Sequence, residues 1–305
     1  MFAGTIADVA GIAVGHATDW QAQTGVTAVL APGGAVAGVD VRGGAPGTRE
    51  TDAMAPGRLV ERIQGVLLTG GSAFGLDAAG GAMKYLARKG LGYDTGVAKV
   101  PIVGAAVLFD LGVGDPSVRP DAAMGALACL CASGEVRQGR MGAGAGATIG
   151  KLAPGCAPSP GGVGTASMAL PGGATIGAIV AVNSAGDVCH PDTGELLAGP
   201  IAPGGGMFAG HKALSADARP LSANTTIGVV ATDARLTREQ AGRLALCAHD
   251  GYARAIRPAH LPIDGDAAFA LSAGEAECNF ILLCAAAAEV MARAVANAAI
   301  AARLS

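Results

Sequence analysis

Paired glycines recur along this chain, many of them beside polar residues and at the ends of short β-branched runs: Gly33-Gly34, Gly43-Gly44, Gly70-Gly71, Gly161-Gly162 and Gly172-Gly173. Glycine admits positive φ and lets one backbone approach another closely. Dispersed pairs therefore predict many short strands with tight ends, some beside a ligand, rather than one flexible linker. The β-branched runs predict strands over 25–30, 36–41, 65–69, 175–182 and 226–232. Ala-rich segments predict helices over 77–89, 121–133, 237–255 and 275–302. Thr237 followed by Gln240 has the form of a capping box. Strands precede helices in places and meander in others, which suits a layered α/β sandwich better than a doubly wound sheet.

The rest of the composition excludes whole classes. Hydrophobic residues make up 51% of the chain and charged residues 15%, too apolar for disorder. No apolar run of membrane-spanning length is free of Gly, Pro and charge; 282–302 comes closest, carries Glu289 and Arg293, and reads as a packed helix, so no membrane contact is expected. Aromatics at 3% and a net charge of -3 give no basic stripe for nucleic acid. The N-terminus has no signal-peptide pattern. Seven scattered cysteines without a CxxC pair point to a reducing, cytoplasmic setting. The five histidines (16, 190, 211, 249, 260) show no ligand spacing, so neither metal nor cofactor is expected. "GAGAGATIGK" (142–151) fails as a phosphate loop, with Ala145 where glycine is needed and Leu152 where Ser or Thr is needed.

One stretch raises a chemical question. In "SANTTIGVVATDARL" (222–236) a polar knot runs straight into an apolar strand. Asn224-Thr225-Thr226 matches the glycosylation acceptor pattern, a weak signal that requires secretion. Asn and Thr also make local side-chain turns before strands, and on residue types alone this is the plain reading. A third reading is self-cleavage. The Thr225 hydroxyl attacks the Asn224 carbonyl, the amide becomes an ester, and water releases Thr225 as a new N-terminus whose α-amine serves as base for its own hydroxyl. The Pro- and Gly-rich segment 190–223 leads into this point, and a connection of that length is functional, a linker or disordered.

The chain resembles the L-aminopeptidase/D-esterase family, which holds the DmpA-type β-peptidyl aminopeptidases and the nylon-oligomer hydrolases. The likeness runs in order through nearly the whole chain, in blocks that include "DVAGIAVGHATD" (8–19), "LLTGGSAFGLDAAGGAMKYL" (67–86), "VAVNSAGDV" (180–188), "NTTIGVVATDARLTREQA" (224–241) and "AHDGYARAIRPAH" (248–260). The resemblance implies a four-layer αββα sandwich of N-terminal-nucleophile type. It implies a single domain over 1–305 that cuts itself between Asn224 and Thr225 into a heavy chain, 1–224, and a light chain, 225–305. Assembly as a homotetramer or larger follows from the same likeness.

Carried over position by position, the resemblance makes Thr225 the nucleophile and sets Asn183 near the oxyanion. Asp264 and Asp266 become the acidic pair beside the nucleophile, and Lys151 the lysine of the Thr-type members. Taken alone, "DGD" reads as a turn, Lys151 as a solvated strand end and Asn183 as a turn residue. Gly71 and Ser72 are expected to border the substrate cleft. Phe109 stands where members often carry Tyr, so it is expected in the pocket, and either Asn183 and backbone amides are left to stabilise the oxyanion or the activity is weaker or altered. The implied function is aminopeptidase-type cleavage of small peptides, β-peptides or related amides and esters. Endo-hydrolysis of ω-amino-acid oligomers is the close variant, and acyl transfer of the ornithine-acetyltransferase type an enzymatic rival. A non-catalytic assembly protein that keeps the fold is the rival of another class.

Overall fold

The computed structural model describes residues 1–212 and 224–305. Its principal strands are β1 (Ala13–Asp19), β2 (Thr24–Val41), β3 (Arg62–Thr69), β4 (Val103–Val107), β5 (Gly162–Ala169), β6 (Thr175–Asn183), β7 (Thr225–Ala234) and β8 (Ala267–Ala276). The hydrogen-bonded order is β5-β6-β7-β8-β2-β3-β4, closed by the two-residue strand Thr48–Arg49, with β1 also paired to β2. The pairs β7–β8 and β3–β4 are parallel and the others antiparallel.

The segments 25–30 and 36–41, expected as two strands, are the two arms of β2. The first arm pairs with β1 and β3, the second with β8 and, at its start, with β3 as well (Val36 with Arg62), and the register slips between Leu30 and Ala35. Pro32 has no N–H to give the ladder, and the glycine pair after it lets the strand bend as at a bulge. A strand shared in this way allows one continuous hydrogen-bonded ribbon to fold into two facing layers.

Three apolar clusters mark those layers. Val29, Val66, Leu68 and Ala106 from one half of the ribbon pack with Ile179, Ile227, Val229 and Phe269 from the other, so the two sheet layers face each other. Behind one layer, Val180, Val182 and Val230 meet Leu244, Ala248, Val290 and Val295 of helices α3 (Arg238–Ala255) and α4 (Phe280–Ala302). Behind the other, Ala28, Leu67 and Ala105 meet Ala78, Ala82, Leu86 and Ala128 of α1 (Ala78–Arg88) and α2 (Ala122–Leu130). Helix, sheet, sheet, helix is the expected four-layer sandwich.

Many glycines serve this layering. Gly172 and Gly173, both at positive φ, turn the chain between β5 and β6. Gly164 lies within β5 under α4, where a Cβ would stand 2.1 Å from the Ala294 carbonyl oxygen. The Ala-rich composition of α4 and the bare strand beneath it are thus two sides of one close approach. By length and apolar composition α4 could cross a membrane, but here it packs on β5, β6 and α3.

The helix expected over 275–302 starts only at Phe280, where the Asn279 side chain accepts from the Ile281 and Leu282 N–H groups. Ala267–Ala276 before it is a strand, because pairing between β7 and β2 outweighs the weak β-propensity of alanine. Thr237 and Gln240 form the expected capping box. In the segment expected to be loose, Leu196–Ala198 is a short strand and Gly210–Lys212 a 3₁₀ turn, while 213–223 lie outside the described residues.

Candidate active site

Thr225 is the first residue of β7, deep in the middle of the ribbon. Asn183 on β6 is its register partner on one side, and β8 runs parallel on the other. Asn224 and Thr225 are 2% and 4% exposed. The turn expected there is instead extended backbone, because Asp264-Gly265-Asp266 continues the parallel pairing of β8 past its start. The Gly265 N–H donates to the Asn224 carbonyl at 3.2 Å, and the Thr226 N–H donates to Asp266 Oδ1 at 2.6 Å. The Thr225 hydroxyl also hydrogen-bonds the Asn224 carbonyl. The carbonyl oxygen preceding Thr225 thus carries both the hydroxyl and a backbone N–H. A Cβ at position 265 would stand 2.7 Å from Thr225 Oγ1 and 2.7 Å from the Ala45 carbonyl oxygen, so glycine is what leaves the hydroxyl its place.

Lys151 and Asn183 lie on the β6 side. Lys151 Nζ donates to Asn183 Oδ1 at 2.8 Å and to the Asn183 carbonyl at 3.3 Å. The Thr148 N–H adds a donor to the same Oδ1 at 2.9 Å. With its oxygen so occupied, the side chain points its amide Nδ2 at the Phe109 carbonyl, 2.9 Å away. Asn183 is therefore oriented as an N–H donor, and in the intact chain that donor rests on the backbone of residue 109.

Electrostatics set the site apart from an ordinary strand end. Burial pulls the Lys151 ammonium down to about 7 against the attraction of Asp264. Burial, then the charge of Asp266, pushes the Asp264 carboxyl up to about 6, while the Leu261 N–H, Lys151 and His260 act the other way. Near neutral pH both groups stand close to their titration points, the condition for passing protons. Asp264 Oδ2 accepts from the Leu261 N–H at 2.8 Å, and its Oδ1 is buried without a hydrogen-bond partner among the described residues.

A cavity of about 270 Å³ opens on Thr225 and Asn224. Ala45, Pro46, Val107, Phe109 and Ile263 give it an apolar wall, and Ser72 lines it too. Phe109 and Ser72, both expected at the substrate cleft, line this cavity. Gly71 does not line the cavity; its N–H donates to Asp110 Oδ1 at 2.7 Å, which ties down the turn that presents Ser72. Asp110 also accepts from the Thr24 hydroxyl at 2.7 Å, and burial raises its carboxyl above the usual range.

Three contributors escape the sequence reading: the Gly265 N–H, Asp110, and His260, whose Nδ1 lies 2.8 Å from Asp266 Oδ2. Backbone donors leave no mark on residue type. Asp110 and Gly71 are 39 positions apart. His260 lies six positions from Asp266 in an irregular segment, and that spacing carries no signal; among the described residues no group of three His, Cys, Asp or Glu side chains could hold a metal ion.

Known proteins share this arrangement of chain. An L-aminopeptidase D-Ala-esterase/amidase from Ochrobactrum anthropi, described as a variant of the Ntn hydrolase fold, superposes with a TM-score of 0.73 over 98% of this chain and 86% of that one, at 24% identity. A Burkholderia sp. β-aminopeptidase gives a TM-score of 0.71 over 96% of this chain and 85% of that one, at 23% identity. In sequence, an uncharacterized aminopeptidase of Mycobacterium tuberculosis is 43% identical over 291 residues, 88% of this chain and 81% of the relative. A 6-aminohexanoate-oligomer endohydrolase of Kocuria sp. is 32% identical over 276 residues, 88% of this chain and 74% of the relative. The model of peptidase family S58 matches residues 4–304, and the chain belongs to that family of aminopeptidase-type hydrolases.

Proposed function

We propose that this chain is a self-processing amidohydrolase with Thr225 as its nucleophile. The observation that carries the reading is the Asn224 carbonyl, which holds the Thr225 hydroxyl and the Gly265 N–H on the same oxygen. In processing, Thr225 Oγ adds to the Asn224 carbonyl carbon while the Gly265 N–H steadies the charge that develops on its oxygen. The C–N bond breaks as the amine takes a proton, an ester remains, and water hydrolyses it. The heavy chain, 1–224, and the light chain, 225–305, result. Thr225 then attacks substrate amides in the same way, with its α-amine as the base and Asp264 and Asp266 beside it. Lys151 holds Asn183 in line and, with its proton affinity near neutrality, exchanges protons with the leaving group.

The substrate is a small peptide, β-peptide or related amide or ester, as the aminopeptidase relatives suggest. One observation supports a second reading. Among the described residues, none that lines the cavity has a charged side chain. A substrate whose free ammonium lies far from the scissile carbonyl suits such a wall, as an ω-amino-acid oligomer would. Assembly as a homotetramer or larger belongs to the same proposal, with the exposed apolar side chains of Trp20, Leu127 and Leu130 as surface for it to cover.

Mass spectrometry under denaturing conditions tests the nucleophile. Two fragments, 1–224 and 225–305, are expected from the natural chain, and a single full-length mass from Thr225→Ala. Turnover of aminoacyl or β-aminoacyl anilides is expected to fall by at least about 10³-fold in that variant. Fragments or turnover that persist in Thr225→Ala overturn the assignment.

A further inference from the structure

Two histidines behind the acidic pair take no part in the chemistry proposed above. His260 gives Asp266 Oδ2 two donors, its backbone N–H at 3.1 Å and its ring Nδ1 at 2.8 Å. A carboxylate only accepts, so Nδ1 carries a proton. Asp266 Oδ1 is occupied by the Thr226 N–H, one residue beyond the nucleophile. Both oxygens of Asp266 are therefore spoken for, whereas among the described residues Asp264 has one donor and a bare, buried Oδ1. The two carboxyls of "DGD" are not equivalent, and His260 makes most of the difference.

The orientation of His260 is itself built. Its backbone has φ of 59°, a region that non-glycine residues seldom occupy. Its ring stands edge-on to His249, with centroids 4.8 Å apart and planes at 71°, and 6.1 Å from the ring of Tyr252. His249 is buried and gives its Nε2 proton to the Asp40 carbonyl at 3.0 Å, so its Nδ1 is a bare lone pair. Burial above all holds the His249 imidazole down to about 4, and it forms a neutral wall against His260. The other titratable groups facing this cluster are Lys151 on the far side of Asp264, and Asp40 and Tyr252 behind His249.

We infer that His260, braced by His249, is a positioning residue that acts through Asp266: its two N–H donors fix Asp266 as the acceptor at the Thr226 N–H and leave the exchangeable proton of the pair to Asp264. This rests on the reading of Thr225 as the nucleophile.

Two variants of the full-length, processed enzyme test it. His260→Gly removes the ring and its Nδ1–H and accepts the positive φ at no steric cost. His260→Asn also tolerates that φ and keeps an N–H at the place of Nδ1. Both take away the ring whose charge helps hold Asp264 down. In both, the acid limb of kcat against pH, read with an aminoacyl anilide, is expected to move to higher pH. Only His260→Gly is expected to lose kcat, by about 10–100-fold as for the loss of an orienting partner, with KM nearly unchanged. An acid limb unmoved in both variants overturns the inference, as does an equal loss of kcat in both. Should His260→Gly fail to fold, the acid limb of His260→Asn decides alone. Thr225→Ala run alongside separates the two readings. Turnover surviving there sinks the nucleophile itself, whereas a dead Thr225→Ala beside wild-type behaviour of the His260 variants sinks only the role of His260.

Discussion

At the scale of single residues, the most demanding position in the site is one without a side chain. Gly265 supplies the N–H on the Asn224 carbonyl and vacates the volume that Thr225 Oγ1 occupies. Gly265→Ala is therefore expected to fold, because the clash is local, and to process at least about 100-fold more slowly, since displacing a reacting group by an ångström costs about that much. A time course of full-length and cleaved masses after purification measures this. The acid–base groups make a second prediction. The acceptor form of Asp264 is lost as pH falls through about 6, so activity is expected to drop on the acid side of that value. Lys151, which titrates at about 7, is charged there and holds the Asp264 carboxyl down. Lys151→Met removes that attraction, so whatever activity remains should show its acid limb at higher pH. A limb that stays put or moves down in a kcat–pH profile contradicts the coupling.

Among the elements, those most legible in the sequence carry their own punctuation. Helix α3 has its capping box at Thr237 and Gln240, and β6 and β7 are rich in β-branched residues. β8, "AAFALSAGEA", hides in an Ala-rich stretch because its strand state comes from neighbours on both sides rather than from its residues. Strand glycines under helices are the element-scale cost of thin layers. Gly164→Ala would drive a methyl toward the Ala294 carbonyl oxygen at 2.1 Å and the Ala298 nitrogen at 2.2 Å. It is expected to destabilise the chain by about 1–3 kcal/mol, as overpacking does, and to leave the chemistry of any folded protein intact. The urea midpoint and residual specific activity report the two halves of that statement separately.

At the scale of the whole molecule, the proposed cut falls where it cannot release either piece. β7 and β8, both after residue 224, sit between β6 and the second arm of β2, both before it. Helices α3 and α4 then close one apolar cluster over strands from both sides of the cut. Processed protein is therefore expected to elute as one species whose native mass is a whole number of full chains, with the fragments separating only in denaturant. A light chain that leaves under native conditions contradicts this interleaving.

The sequence by itself determined the apolar strand behind Thr225, the capping box of α3 and the glycine punctuation that forces short, closely packed elements, each a local pattern of residue types that survives without coordinates. Thr225 as the nucleophile candidate came from the order of whole blocks along the chain, since its own residue types read as a turn. Only the tertiary structure decided that two expected strands are one bent strand, that β8 is a strand at all, and that the Gly71 N–H is bonded to Asp110 rather than facing the cavity. It alone set the Gly265 N–H on the Asn224 carbonyl and His260 on Asp266. Those are hydrogen bonds between positions brought together by layering, several of them through backbone groups that every residue carries, so nothing in the order of side chains could announce them.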